Sequence, residues 1–180
     1  MEVIETKIKN LLILKPKVFA DTRGYFFESY NADVFKQNGI ISNFVQDNQS
    51  LSNAGVLRGL HFQAPPFDQG KLVRVISGAV LDVAVDIRKD SPTYGEHVAL
   101  ELTEENKTMF YIPTGFAHGF LTLRDNTIFS YKCTNVYNKS SEGCVLWNDA
   151  NLKINWNVTN PILSEKDLVG TPFKEFNSPF

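Results

Sequence analysis

Short runs of alternating apolar and polar residues dominate the chain, at the period of two that marks strands. Leu81, Val83, Val85 and Ile87 alternate with Asp82, Ala84, Asp86 and Arg88, the pattern of a half-buried strand. Val98, Leu100 and Leu102 alternate with His97, Ala99 and Glu101 in the same way. Further strands are predicted over Leu11–Phe19, Gly24–Tyr30, Val56–Gln63, Lys71–Ile76, Thr108–Ile112, Gly119–Leu123, Thr127–Tyr137 and Cys144–Trp147. Turn signals separate them, among them Asp21-Thr22-Arg23-Gly24, Asn53-Ala54-Gly55, Pro65-Pro66, Ser77-Gly78, Pro113-Thr114-Gly115 and Arg124-Asp125-Asn126. Helix signals are few. Asn31 can cap a short helix through Gln37, stopped by Gly39, and Ser164-Glu165-Lys166-Asp167 reads as a capping box.

Many short strands at this spacing predict an all-β sandwich or barrel, with a double-sheet jelly roll as its closed form. The 180 residues carry no repeat and no low-complexity linker, so a single domain over 1–180 is expected. Hydrophobic residues at 43% and charged residues at 21% argue against disorder. The 18 Lys+Arg against 20 Asp+Glu leave a net charge of -2, which gives no electrostatic footprint for nucleic acid. A few local cations would still suffice for one small phosphorylated ligand. Cys133 and Cys144 form no CxxC, which excludes a zinc ribbon and disfavours a disulfide framework. No run approaches the ~20 apolar residues of a membrane span, and Met1-Glu2-Val3-Ile4-Glu5 lacks the features of a signal peptide. A cytoplasmic setting without membrane attachment is the expectation.

The three histidines can be weighed singly. His97 falls on the polar face of its strand beside Glu101 and reads as a solvated surface residue. His61 lies in Val56-Leu57-Arg58-Gly59-Leu60-His61-Phe62-Gln63, and His118 in Pro113-Thr114-Gly115-Phe116-Ala117-His118-Gly119-Phe120. Pro-x-Gly-x-x-His before a strand is a pattern of cupin barrels, whose metal-binding members usually add a His-x-His pair. Here Gln63 stands two residues after His61, and Gln is a poor ligand for transition metals. No metal is expected.

A set of motifs carries a resemblance. They are Asp21-Thr22-Arg23-Gly24-Tyr25-Phe26-Phe27-Glu28, Phe44-Val45-Gln46-Asp47-Asn48, Val56–Gln63, Gly70-Lys71-Leu72-Val73-Arg74, Asp82–Arg88, Gly115–Phe120 and Ser141-Glu142-Gly143. In this order, from about Leu11 to Asp167, the chain resembles the dTDP-4-dehydrorhamnose 3,5-epimerase family. The resemblance implies a metal-free, cupin-like jelly roll with a few short peripheral helices, acting as a homodimer without cofactor. The implied reaction inverts C3 and C5 of dTDP-4-dehydro-6-deoxy-D-glucose, the step that leads to dTDP-L-rhamnose. Both carbons flank the C4 ketone, so a base on one face, an acid on the other and a donor for the enolate oxygen would suffice.

The resemblance assigns the base to His61, with Asp167 as its carboxylate partner. The residues alone read Asp167 as the third residue after a Ser164 cap, and the two roles are compatible. Tyr131 is the implied acid. Phe129, Tyr131 and Cys133 share an apolar strand face, so Tyr131 is expected to point into the barrel, where it could equally be a core residue. Lys71 would sit near the C4 oxygen, although a strand-end Lys is usually solvated, and His118 would add a second donor. Arg23 and Arg58 are the implied diphosphate ligands, since the guanidinium fork fits phosphate oxygens. Glu28, Gln46, Asn48, Glu142 and Lys166 resemble nucleotide contacts, and Tyr137 the aromatic that stacks on thymine. Arg58 and His61 are an odd number of positions apart, and Gly59 between them can mark a bulge that turns both inward. The apolar Leu11-Leu12-Ile13-Leu14 run would be hazardous on an exposed strand, so it is expected to pack across a dimer. Two other readings fit part of the pattern: an epimerase acting at C3 or C5 alone, and a non-catalytic carbohydrate-binding jelly roll.

Overall fold

The computed structural model describes residues 1–180. Its strands begin with β1 (Glu2–Glu5), β2 (Leu12–Lys15), β3 (Val18–Asp21), β4 (Gly24–Phe27), β5 (Gln46–Ser52), β6 (Leu57–Gln63) and β7 (Lys71–Ser77). They continue with β8 (Ala79–Asp86), β9 (His97–Thr103), β10 (Met109–Ile112), β11 (Phe116–Thr122), β12 (Thr127–Cys133) and β13 (Glu142–Cys144). The helices are α1 (Ala32–Gln37) and α2 (Glu165–Leu168), capped by Asn31 and Ser164 as expected. A six-stranded sheet, β1-β2-β10-β7-β12-β5, faces a five-stranded sheet, β13-β6-β11-β8-β9. The strand pairs in both are antiparallel, and β3 and β4 form a separate hairpin. The architecture is a cupin-like double-sheet jelly roll.

Several boundaries differ from the sequence reading. Leu11–Phe19 divides into β2 and β3 around Pro16, which has no N–H to give a ladder. The Thr127–Tyr137 strand ends at Cys133, and the strand expected over Cys144–Trp147 is Glu142–Cys144. β1 and β5 escaped the pattern search. β5 reads Gln-Asp-Asn-Gln-Ser-Leu-Ser, almost without apolar residues, and is held by its continuous register with β12 from Ser52↔Thr127 to Gln46↔Cys133. The Leu11–Leu14 run is also not an exposed strand. Leu11 and Leu14 are fully buried within the chain, because β2 lies between β1 and β10. His97 is half-buried rather than solvated, and burial lowers its pKa.

The main correction concerns β8. It is not half-buried: Asp82, Ala84 and Asp86 are as inaccessible as Val83 and Val85. The interior face packs Val80 and Ala84 with Val73, Val75, Phe110, Phe120 and Phe129 between the two sheets. The opposite face, with Val83, Val85 and Ile87, is covered by the C-terminal segment through Leu152, Trp156, Phe173, Phe176 and Phe180. Each such side chain removed from water contributes about 1.5–3 kcal/mol. Trp156 Nε1 donates to the Trp147 carbonyl at 2.8 Å, and the Asp149 carboxylate accepts the Phe173 N–H at 2.7 Å. The tail therefore acts as a third layer, and it brings α2 back to the barrel wall beside β6.

β6 bulges against β11. His118 pairs with His61 and Phe120 with Arg58, so three steps on one strand face two on the other. Gly59 occupies the bulge at φ +142°, and a Cβ there would lie 2.5 Å from Gly119 Cα. The bulge puts Leu57 and Leu60 together on the tail-covered face. Gly59→Ala should therefore destabilise the fold by more than about 2 kcal/mol, measured by denaturant unfolding. An unchanged midpoint would show that the bulge tolerates a side chain.

Candidate active site

With Leu57 and Leu60 turned outward, Arg58 and His61 both turn toward the space between the sheets. Antiparallel pairing then assembles neighbours by register. On the five-stranded sheet, His61 stands opposite His118 on one side and Cys144 on the other. On the six-stranded sheet, Tyr131 stands between Val73 and Asn48, and Cys133 between Lys71 and Gln46. Residues directly opposite in a ladder share a face. Tyr131 packs against the interior cluster through Phe129, with ring centroids 6.0 Å apart. His61 and Tyr131 thus come from facing sheets.

His61 Nε2 lies 2.6 Å from Asp167 Oδ1, with Asp167 buried and the His61 side chain 26% exposed. Asp167 sits in α2, and its carboxylate also accepts the Gly59 N–H at 3.2 Å and the Ser164 hydroxyl at 2.6 Å. Ser164 Oγ in turn accepts the Asp167 N–H, so the cap and the dyad are one arrangement. Burial alone would raise the Asp167 pKa. The hydrogen bonds from His61, Ser164 and Gly59 outweigh it and hold the carboxyl at about 2. The bond to Asp167 assigns the His61 proton to Nε2, leaving the Nδ1 lone pair free.

His118 Nε2 lies 3.0 Å from both oxygens of Asp82, and both residues are buried. Burial lowers the His118 pKa, opposed by Asp82. Asp82 was not singled out from sequence, because an Asp on an alternating strand reads as solvent-facing. Burial lowers the Lys71 pKa as well, against the opposing charges of Cys133, Asp82 and Glu142. Burial raises that of Tyr131, opposed by Arg58. Burial thus keeps the Tyr131 phenol protonated.

The remaining residues form a rim. Gln46 Nε2 donates to Asn48 Oδ1 at 3.1 Å, and Gln46 Oε1 accepts the Tyr137 N–H at 2.9 Å. The Tyr137 hydroxyl donates to Glu142 Oε2 at 3.2 Å, and Glu142 is ion-paired with Lys166. Tyr137 is 55% exposed, which leaves a ring face open to solvent. Arg58 reaches only Ser52 Oγ, at 3.1 and 3.3 Å, and so keeps donors to spare. Two expected site residues are not brought here by their own chain. Arg23 pairs with Asp21 at the exposed turn of the β3–β4 hairpin, and Glu28 follows that hairpin, also exposed.

Cys144 was not singled out from sequence either. Its thiol, His61 and Asp167 offer ligand atoms within 4.8 Å of one another. The 2.6 Å separation of His61 and Asp167 is a hydrogen bond. Two donors sharing a tetrahedral cation at ~2.0–2.1 Å would stand about 3.3 Å apart. Burial, with Asp167 adding to it, pushes the Cys144 thiol up to about 11.

The depressed Asp167 pKa has a consequence for acid stability. Its contribution is complete above the unfolded carboxylate value of ~3.9 and is lost as pH falls through about 2. Asp167→Asn should remove on the order of 2 kcal/mol from the stability difference between pH 6 and pH 2. Ser164→Ala, which deletes one donor to the carboxylate, should move the acid limb upward in pH. Acid unfolding followed by circular dichroism reads both, and limbs identical to wild type would refute the linkage.

Comparison with known proteins bears on the same residues. Residues 5–175 match the family described as dTDP-4-dehydrorhamnose 3,5-epimerase. The dTDP-4-dehydrorhamnose 3,5-epimerase of Shigella flexneri is 53% identical over 174 residues, 96% of each chain. A crystal structure of the Legionella pneumophila dTDP-6-deoxy-D-glucose-3,5-epimerase with dTDP-4-keto-L-rhamnose superposes with a TM-score of 0.94. That protein is 46% identical, over 98% of this chain and 94% of its own. A 3′-monoepimerase from Streptomyces bikiniensis, solved with dTDP-quinovose, gives 0.89 at 30% identity over 94% and 87% of the two chains. The motifs, the interior His and Tyr on facing sheets and these matches agree, and the chain belongs to the dTDP-4-dehydrorhamnose 3,5-epimerase family.

Proposed function

We propose that this chain inverts C3 and C5 of dTDP-4-dehydro-6-deoxy-D-glucose by acid–base catalysis through enolates, in the cytoplasm and as a homodimer. The observation that carries the reading is His61 on one sheet, paired with Asp167 of α2, and Tyr131 on the other sheet, flanking one interior. His61 Nδ1 takes the proton from the carbon beside the C4 ketone. Asp167 steadies the imidazolium that forms and fixes the ring. The electron pair moves to the C4 oxygen, where Lys71 receives the charge, while His118, committed through Nε2 to Asp82, lines the pocket. Tyr131 returns a proton to the carbon from the opposite face; His61 then gives its proton to solvent and Tyr131 takes one back, and the sequence repeats at the second carbon. Every proton has a donor and an acceptor, and no electron leaves the substrate.

Arg58 binds the diphosphate, Tyr137 stacks on thymine, and Gln46, Asn48, Glu142 and Lys166 line the nucleotide. Arg23 and Glu28 belong to a different surface of the same chain. A second copy is the economical way to use them. The β3–β4 hairpin exposes Phe19, Tyr25 and Phe26 at 53, 57 and 68%, more apolar surface than a two-stranded ribbon sustains alone. Buried between two copies, it would deliver Arg23 and Glu28 to the partner's rim.

The test is conversion of the keto sugar in deuterium oxide. Deuterium at both C3 and C5 of the product is expected. Label at one carbon alone favours a single-position epimerase, the reading that the Streptomyces bikiniensis relative keeps in view. No label would refute catalysis. Full activity should survive exhaustive chelation, because no step of this acid–base sequence uses a cation, and zinc-restorable loss would contradict this. Light scattering at micromolar concentration should give the mass of two chains, and Phe19→Ser with Phe26→Ser should shift it toward one. A monodisperse wild-type monomer would refute the dimer.

A further inference from the structure

We propose that His61, Cys144 and Asp167 form an inhibitory site for a thiophilic divalent cation of the zinc class. The catalytic cycle has no use for this cation, and Cys144 has no part in that cycle. Imidazole, thiolate and carboxylate are the donors that zinc prefers, and these offer atoms within 4.8 Å of one another. They come from three separate elements that the fold fixes together. Cys144 on β13 is the ladder partner of His61 on β6, so both side chains share a face. Asp167 reaches the same point from α2.

The geometry is close to a tetrahedral cradle without being one. Donors at ~2.0–2.3 Å from a cation stand about 3.3–3.5 Å apart. His61 and Asp167 must open from 2.6 Å, and the thiol must close in from at most 4.8 Å. The thiol is loosely held. Its contact to the carbonyl of Val145 is 3.6 Å long. The partly exposed His61 leaves a fourth position to water. Binding releases the thiol proton to solvent.

Such a cation would silence the base. On Nε2 it takes that nitrogen's lone pair and sends the proton to Nδ1, which then has none to abstract with. On Nδ1 it occupies the base directly. This inhibitory arm rests on His61 being the base, as proposed above, whereas the binding arm rests on the cluster alone.

Cobalt(II) titrated into the full-length chain without substrate tests binding. A near-ultraviolet thiolate-to-cobalt band with one-to-one stoichiometry is expected. Cys144→Ala and Cys144→Ser should both abolish it, and Cys133→Ser should keep it. Zinc should inhibit solvent exchange by the wild type, reversed by chelator. Cys144→Ala, with its basal activity kept, should need at least about tenfold more zinc, a one-ligand loss in affinity. A band that persists in both Cys144 variants, or no band in the wild type, would overturn the site whatever the enzyme's activity. Unchanged zinc sensitivity in an active Cys144→Ala variant would overturn the inhibition.

Discussion

The hydrogen-bonded carboxylate of Asp167 is the constraint on which the site depends. It arrives near the C-terminus, on a helix of four residues that could not stand alone. Three things put it there: the Ser164 cap, the Gly59 N–H and the apolar tail over the outer face of the five-stranded sheet. Its buried charge is tolerable only because donors surround it. In return it fixes the tautomer of His61, which decides the nitrogen left free to act. The bulge at Gly59 serves both ends of this contact. It turns His61 inward and presents its own N–H to the carboxylate.

The barrel interior is more polar than its wall. Asp82, His118, Lys71 and the His61–Asp167 pair lie inside, where charged forms are costly unless paired. Burial lowers the pKa of Lys71 and His118 and raises that of Tyr131. The interior therefore favours neutral forms, among them the protonated Tyr131 phenol that can give its proton to the substrate. The outer face of β8 is the more uniformly apolar one, and it needs the tail as a cover. One strand thus separates chemistry on one side from structural burial on the other.

The jelly roll was legible because period-two runs and their turns survive in most strands, and both helix caps were readable at Asn31 and Ser164. β5 was not, since its seven residues are nearly all polar and its strand state comes from β12 and not from its own pattern. The burial of Asp82 was not legible either. Alternation reports two faces and cannot say that a distant tail covers one of them, leaving the polar face inside. Gly59 could be flagged as a bulge by the odd spacing of Arg58 and His61. Cys144 had no signal at all, because its place beside His61 depends on a register between β13 and β6 that only the fold supplies. Arg23 and Glu28 carried a family signal while their geometry points away from their own barrel.

The central claim is that base and acid act from opposite faces of one sugar ring, and separating exchange from inversion tests it most directly. His61→Asn and Tyr131→Phe, each shown folded by circular dichroism, are incubated with the keto sugar in deuterium oxide. The account predicts that His61→Asn abolishes exchange at C3 and C5, by at least the ~10²–10⁴-fold of one acid–base group. Tyr131→Phe should still wash deuterium into the original configuration while forming little inverted product. Near-normal inversion by His61→Asn would contradict the account.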